Sequence, residues 1–135
     1  MKVLIDTDVL LDVALSRELH LEASVGVLRW AEAEGGAAVA WHSIANCGDL
    51  LKGGREFVEK LLGFVEVATV STADAKLALK LPMRDFEDAL QAASALAWSA
   101  DFIVTRNLPD YRKSPVPAVT PAAFLKRHAD SGNHS

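Results

Sequence analysis

Short apolar segments alternate with helical patterns along this chain, and this alternation limits what the chain can fold into. Two consecutive parallel strands need a long crossover, which is usually a helix, so the alternation favours a parallel sheet with helices on both faces. The sequence therefore predicts an α/β fold, a three-layer α/β/α sandwich around a mainly parallel sheet of about five short strands. The predicted strands are Lys2 to Ile5, Ala37 to Trp41, Val65 to Val70, Phe102 to Thr105 and Ala118 to Val119.

The length and composition of the chain are those of one globular domain. Of its 135 residues, 50% are hydrophobic and 24% are charged, and we assign residues 1–128 to the domain and the polar residues 129–135 to a flexible tail. Cys47 is the single cysteine, so an internal disulfide is excluded. The sequence shows neither a signal peptide nor a membrane span, and we expect a cytoplasmic protein with no membrane contact.

Polar side chains follow the predicted strands at the points where the strands end. The carboxyl ends of parallel strands meet at one edge of the sheet, where the sites of such folds gather. Asp85 and Asp88 open a predicted central helix three residues apart, and this spacing places them on one face of its first turn. The residues that follow strands are Asp6 and Asp8, then Ser43 and Asn46, and finally Arg106, Asn107 and Asp110.

A group of carboxylates at one edge indicates a metal site. Like charges held close together repel, and a bound cation relieves the repulsion. Oxygen ligands favour hard ions such as Mg²⁺ or Mn²⁺, and these ions activate water and polarise phosphoryl oxygens. The pattern therefore points to hydrolysis of phosphodiester bonds. The net charge of −4 argues against binding nucleic acid through bulk charge, so any such contact must be local.

Each of these polar residues also has a purely structural interpretation. Asp6 or Thr7 can cap the first helix and Asp85 the central helix, while Asp8 and Asp12 can face solvent. Ser43 is placed to cap a helix that continues to about Lys52. Both interpretations stay open at this level.

Three segments in order resemble the PIN domain family, and specifically its VapC-type toxin branch. They are Leu4-Ile5-Asp6-Thr7-Asp8-Val9-Leu10-Leu11-Asp12, Arg84-Asp85-Phe86-Glu87-Asp88-Ala89-Leu90, and Ile103-Val104-Thr105-Arg106-Asn107-Leu108-Pro109-Asp110-Tyr111. Residues 119–125 resemble the closing segment of that branch. The resemblance implies a metal-dependent endoribonuclease, the toxin of a type II toxin-antitoxin pair, with Mg²⁺ or Mn²⁺ as cofactor. Its implied partners are RNA, an antitoxin protein and a second copy of the chain.

The resemblance also implies roles for individual residues. Asp6, Asp88 and Asp110 match the metal-binding acids, and Asn107 joins them in the catalytic group. Thr7, Asn46, Asp85, Thr105 and Arg106 match supporting positions. Arg106, Arg112 and Lys113 are the candidates for RNA contact, and Arg106 can alternatively pair with Asp6 or Asp88.

One position departs from the family pattern. Asn46 stands where the family usually has a glutamate, and an amide brings no negative charge. Asp49, one turn further along the same predicted helix, is a candidate substitute. The departure leaves a second interpretation, in which the chain is an inactive RNA-binding or regulatory module. A phosphatase of the haloacid dehalogenase type and a response-regulator receiver fit less well, because their later motifs are broken or absent.

Overall fold

A five-stranded parallel sheet forms the centre of the computed structural model, which describes residues 1–132. The spatial order is β3-β2-β1-β4-β5, and every neighbouring pair is parallel. This arrangement confirms the predicted fold class and places the first strand at the middle of the sheet. The strands are β1 (Val3–Ile5), β2 (Ala37–Val39), β3 (Glu66–Val67), β4 (Phe102–Val104) and β5 (Ala118–Val119).

The predicted helices are all present, with ends shifted by a few residues. They are α1 (Thr7–Ala14), α2 (Glu18–Glu34), α3 (Trp41–Leu50), α4 (Gly54–Leu61), α5 (Thr72–Lys80), α6 (Phe86–Ala97) and α7 (Pro121–Gly132), and a short 3-10 helix spans Leu108–Tyr111. Helix α7 continues to Gly132, and residues 133–135 of the predicted tail lie outside the described residues, so flexibility of the tail stays a prediction.

The side chains of β1 point alternately to two hydrophobic cores. Val3 and Ile5 belong to the larger core, together with residues of α1, α2, α3, α4 and α7. Leu4 points to the opposite face, where it packs with α6 and Tyr111. Because both faces of the strand are covered, all three of its residues are fully buried and apolar.

Two local predictions differ from the structure. The cap of α3 is Ala40, because the helix already begins at Trp41, and the Ser43 side chain is buried inside the first turn instead of capping it. In the segment Val65 to Val70, only Glu66 and Val67 form a strand. This segment lies at the edge of the sheet and has a single neighbour, β2, to pair with.

The register of the two central strands places two polar residues side by side. Ile5 pairs with Val104, and the Asp6 amide donates to the Val104 carbonyl at 3.0 Å. Asp6 and Thr105 therefore both lie directly beyond the carboxyl ends of their strands. In the described part of the chain, no helix is long and apolar enough to cross a membrane.

Candidate active site

Asp6 lies at the centre of the polar cluster and is held by three donors. Its carboxylate accepts the Thr7 amide at 2.7 Å, the Thr105 hydroxyl at 2.8 Å and the Tyr111 hydroxyl at 3.0 Å. The residue is 5% exposed and also caps α1. Asp6 can therefore serve both as a helix cap and as a site residue, because capping α1 fixes its carboxylate at the edge of the sheet.

The Tyr111 hydroxyl joins Asp6 to Asp88. Its oxygen lies 3.0 Å from Asp6 Oδ2 and 3.2 Å from Asp88 Oδ1, and the tyrosine is 3% exposed. A phenol has one proton, so it can donate fully to only one of the two carboxylates at a time. Asp88 comes from the first turn of α6, so this contact brings together segments that are far apart in sequence.

Asp8 belongs to the same cluster, although the sequence left it as a residue that can face solvent. The side chain is half-buried, and Asp8 Oδ2 accepts the Arg106 amide at 3.2 Å and the Asn107 side-chain amide at 3.0 Å. Its other oxygen, Oδ1, is buried and has no hydrogen-bond partner among the described residues. Asp8 thus carries an unsatisfied acceptor at the site, a feature that calls for a cation or a donor from outside the chain.

The charges of these acids are only partly compensated. Burial, followed by the charge of Asp8, raises the pKa of Asp6 from 3.8 to about 7. Burial and the neighbouring Asp85 raise the pKa of Asp88 to about 6, and burial also raises the pKa of Asp8. Burial and the two carboxylates beside it raise the pKa of Tyr111, so the hydroxyl keeps its proton.

Other predicted site residues lie nearby with distinct contacts. Asp85 caps α6 by accepting the Asp88 amide at 3.0 Å, which is its structural interpretation. Asp110 is exposed on the 3-10 helix, and its charge contributes to the raised pKa of Asp88 without a direct contact to Asp6 or Asp88. The Asn107 side-chain amide donates to Asp8, and the Asn107 backbone amide donates to the Thr105 hydroxyl at 3.1 Å.

Asn46, which stands where the family usually has a glutamate, lies beside an acid from another helix. The Asn46 side-chain amide donates to Glu87 Oε1 at 3.1 Å, which links α3 to the first turn of α6. Asp49, the substitute suggested by the sequence, is exposed and makes no hydrogen bond in the described part of the chain. The carboxylate next to Asn46 is therefore supplied by Glu87.

Arg106 pairs with a residue that the sequence did not suggest. Its Nε lies 2.6 Å from Asp12 Oδ2, so the predicted pairing with Asp6 or Asp88 is wrong. Asp12 is fully buried, which contradicts its solvent-facing interpretation, and it also accepts the Ser24 hydroxyl at 3.2 Å. This ion pair joins α1 to the segment after β4 and engages the guanidinium that was expected to contact RNA.

A buried polar network lies beneath the acids. The Thr7 and Ser43 hydroxyls are 2.6 Å apart, and the Gln91 side-chain amide donates to them at 2.9 and 3.0 Å respectively. Gln91 is fully buried on α6, and its amide ties α1, α3 and α6 together under the site. A glutamine among the mainly apolar residues after the first turn of this helix was the available signal, because a buried amide requires partners.

The acidic cluster suits a divalent cation because its ligands are oxygens and its carboxylates lie close enough together to repel one another. The available ligands are carboxylate oxygens, one of which is buried without a partner, and the raised pKa values of Asp6 and Asp88 report negative charge that lacks compensation. Among the described residues, however, no three acidic, histidine or cysteine side chains already converge as a metal-holding group. Two carboxylates are enough for Mg²⁺, which completes its coordination with water and substrate oxygens.

A parallel α/β sandwich with a buried acid beyond β1 and a partly buried acid in the first turn of α6 defines the class of this protein. A family model for the PIN domain matches residues 2–109, so the chain belongs to the PIN domain family. This match confirms the resemblance to the PIN domain family found in the sequence. Among curated proteins, none matches the chain.

Two solved structures resemble this fold. The crystal structure of VapBC2 from Rickettsia felis bound to a DNA fragment from their promoter is 15% identical, with a TM-score of 0.69 over 89% of this chain and 98% of that chain. The structure of FitAB bound to an IR36 DNA fragment is 18% identical, with a TM-score of 0.64 over 88% of this chain and 94% of that chain. At these identities, the likeness shows a shared fold.

Proposed function

We propose that this protein is a Mg²⁺- or Mn²⁺-dependent endoribonuclease of the cytoplasm, the toxin of a type II toxin-antitoxin pair. The observation that carries the proposal is the meeting of Asp6 and Asp88 across one hydroxyl, with the unpartnered oxygen of Asp8 in the same cluster. A partly buried group of like charges costs stability, and a site that binds a cation gives a reason for it. Membership of the PIN domain family supports the same chemistry.

Asp6, Asp88 and Asp110 are the residues that would hold the cation, and Asp8 is a fourth candidate. When bound, the cation supplies activation of a water molecule and polarisation of a phosphoryl oxygen. The residues of the chain keep the site ready for that task. Thr105 and Tyr111 fix Asp6 in one orientation, Asn107 fixes Asp8, and the Thr7, Ser43 and Gln91 network keeps α6 in place.

A cleavage assay on single-stranded RNA tests the proposal. The wild-type protein should cut RNA with Mn²⁺ or Mg²⁺ and lose activity in chelator. Asp6→Asn and Asp88→Asn should each lower the rate by about a hundredfold or more, because each removes a charge from the cation site. Asp49→Asn, at an exposed position without a contact, is the matched control and should cleave at the wild-type rate.

Binding of Mn²⁺ provides a measurement independent of cleavage. Calorimetry should detect Mn²⁺ binding to the wild type and to Asp49→Asn but not to the double variant Asp6→Asn/Asp88→Asn. If the wild type binds RNA but cleaves nothing with either metal, the nuclease proposal fails and the chain is an RNA-binding module.

The proposed antitoxin is a separate DNA-binding protein. Both similar structures, VapBC2 and FitAB, are bound to DNA fragments, and we extend this type of assembly to the present chain. Co-expression with the product of a short neighbouring reading frame should give a complex that co-purifies and represses cleavage. Free, active enzyme after co-expression would contradict this part of the proposal.

A further inference from the structure

A cleft of about 460 Å³ opens beside the acidic cluster. One wall comes from the segment before α6, with Pro82 and Arg84, and the other from the 3-10 helix and the residues after it, with Pro109, Arg112 and Lys113. Asp110 lines the same cleft and also contributes to the raised pKa of Asp88, so the cleft and the acidic cluster adjoin. The volume lies in the range of about 300–1,000 Å³ typical of ligand sites.

The charge of this cleft is opposite to that of the whole molecule. Three cationic side chains and one acid line it, although the chain carries 18 acidic and 14 basic residues in total. Arg17 and Arg106 both pair with Asp12, whereas no ion pair in the described part of the chain involves Arg84, Arg112 or Lys113. Unpaired cations around a concave surface concentrate positive potential, which attracts an anionic ligand.

An aromatic side chain lies between the cleft and the acids in sequence. Phe86 is the first residue of α6, two positions after Arg84 and two before Asp88, and 49% of it is exposed. Exposed aromatic rings stack on the bases of single-stranded nucleic acids. An acidic peptide would use the cations but would gain little from this ring.

We infer that the cleft between Arg84 and Arg112–Lys113 binds the sugar-phosphate backbone of a single RNA strand and leads it to the acidic cluster. This inference rests on the proposed function, since it concerns the substrate of the same site. The three cations bind phosphates adjacent to the one that is cleaved, and Phe86 stacks on a base. The cleft thereby supplies the local positive charge that an acidic protein needs to hold RNA.

Fluorescence anisotropy with a labelled single-stranded RNA, in EDTA and over a range of NaCl concentrations, tests the cleft without cleavage. The triple variant Arg84→Gln/Arg112→Gln/Lys113→Gln should weaken binding by about tenfold or more and reduce the slope of log Kd against log salt by about 2, since each single-strand phosphate contact contributes about 0.7. Asp88→Asn should still bind RNA.

A matched control removes three charges elsewhere. Arg29→Gln/Lys60→Gln/Lys126→Gln alters exposed residues of α2, α4 and α7, and it should retain the wild-type slope. The conservative variant Arg84→Lys/Arg112→Lys should retain most of the wild-type RNA binding, because it keeps the positive charges. Phe86→Ala should weaken RNA binding by about tenfold with an unchanged slope, since stacking involves no counterion release.

The outcomes separate this inference from the proposed function. If the wild type binds RNA through the cleft but never cleaves it, the inference about the cleft stands and the proposed nuclease function is wrong. Cleavage by the wild type, combined with unchanged binding by the triple cleft variant, overturns the inference alone. Equal losses in the cleft and control variants also overturn it, as does absence of RNA binding by the wild type. Tighter binding of a polyglutamate peptide than of RNA would assign the cleft to an acidic protein partner instead.

Discussion

The Tyr111 hydroxyl has two carboxylate neighbours, and its removal should be costly when no cation is bound. In Tyr111→Phe, the ring still packs against Leu4 and α6, but the one donor that Asp6 and Asp88 share is lost. Hydrogen bonds to charged groups contribute about 1.5–3 kcal/mol, so we expect a loss of about 2 kcal/mol in the free energy of unfolding. Urea denaturation in EDTA measures it. A variant as stable as the wild type would show that the hydroxyl does not support the acids.

The raised pKa of Asp6 predicts how stability depends on pH. The folded-state pKa of about 7 lies above the ordinary value of 3.8, so the folded protein binds this proton more tightly than the unfolded chain. The resulting stabilisation is complete below about pH 4 and is lost as the pH rises through about 7.

Asp6→Asn removes this titration while keeping an oxygen that can cap α1. The difference in Tm between wild type and variant, measured in EDTA, should shift in favour of the variant between pH 4 and pH 8. Asp49→Asn, an exposed control, should show a constant difference from the wild type. A constant difference for Asp6→Asn as well would mean that Asp6 titrates normally.

The sequence predicted the acids of this site better than the residues that hold them. Asp6 and Asp88 were identifiable because a strand end and a helix start fix their positions through local patterns. Asp12 was misplaced because its partner, Arg106, lies in a distant segment, and no local pattern reveals a buried ion pair. The role of the Tyr111 hydroxyl was not predicted for the same reason, since this tyrosine and Asp6 lie 105 positions apart in the sequence.

At the level of elements, the Asp12–Arg106 pair ties α1 to the segment that follows β4. Asp12→Asn leaves Arg106, whose Nε is buried but whose side chain is 23% exposed, without its counter-ion. Breaking one side of a buried pair costs about 3–5 kcal/mol, so we expect a loss at the lower end, about 3 kcal/mol. Arg17 contacts the same carboxylate at 3.5 Å with a side chain that is 42% exposed, so Arg17→Gln should cost at most about 1 kcal/mol. Chemical denaturation of both variants checks the contrast, and equal losses would contradict it.

Alanine substitutions at Gly48 and Gly54 test how closely α3 and α4 pack. A Cβ on Gly54 would collide with the Cys47 carbonyl and lie 2.7 Å from the Gly48 carbonyl oxygen, so Gly54→Ala should force the two helices apart. A Cβ on Gly48 would meet nothing within 4 Å. Gly48→Ala should therefore be neutral or stabilise the protein by up to about 1 kcal/mol through helix propensity. Thermal unfolding that ranks the two variants in the opposite order would contradict this packing.

The elements themselves were largely predictable, because apolar periodicity and capping residues mark them locally. A capping box of Ser71 and Asp74, which is a local pattern of two residues three positions apart, starts α5, and the Ser71 amide donates to Asp74 at 2.8 Å. The errors fell where tertiary contacts decide the outcome. Ser43 was expected to cap α3 but instead joins Gln91 and Thr7 in the interior, and the edge position of β3 shortens that strand.

For the whole molecule, the sheet order predicts where the structure opens last. β1 pairs with β2 and β4 and is covered on both faces, whereas β3 pairs with β2 alone. Amide hydrogens of Leu4 and Ile5 should therefore exchange only through global unfolding. The amide of Ala68, which follows β3 directly and donates to the Val39 carbonyl at 2.9 Å, should exchange through local opening. Hydrogen exchange followed by NMR measures both. Faster exchange in β1 than at Ala68 would contradict the order of the strands.

The central position of β1 also has a consequence for protein synthesis. The ribosome makes Asp6 well before Thr105, which orients its carboxylate and follows 99 positions later. A nascent chain, or one released by premature termination before Tyr111, contains the early acids but neither β4 nor the hydroxyls that arrange them. Translation products that end before Tyr111 are therefore inert at this site, and whatever activity the protein has begins only after β4 and the 3-10 helix have emerged.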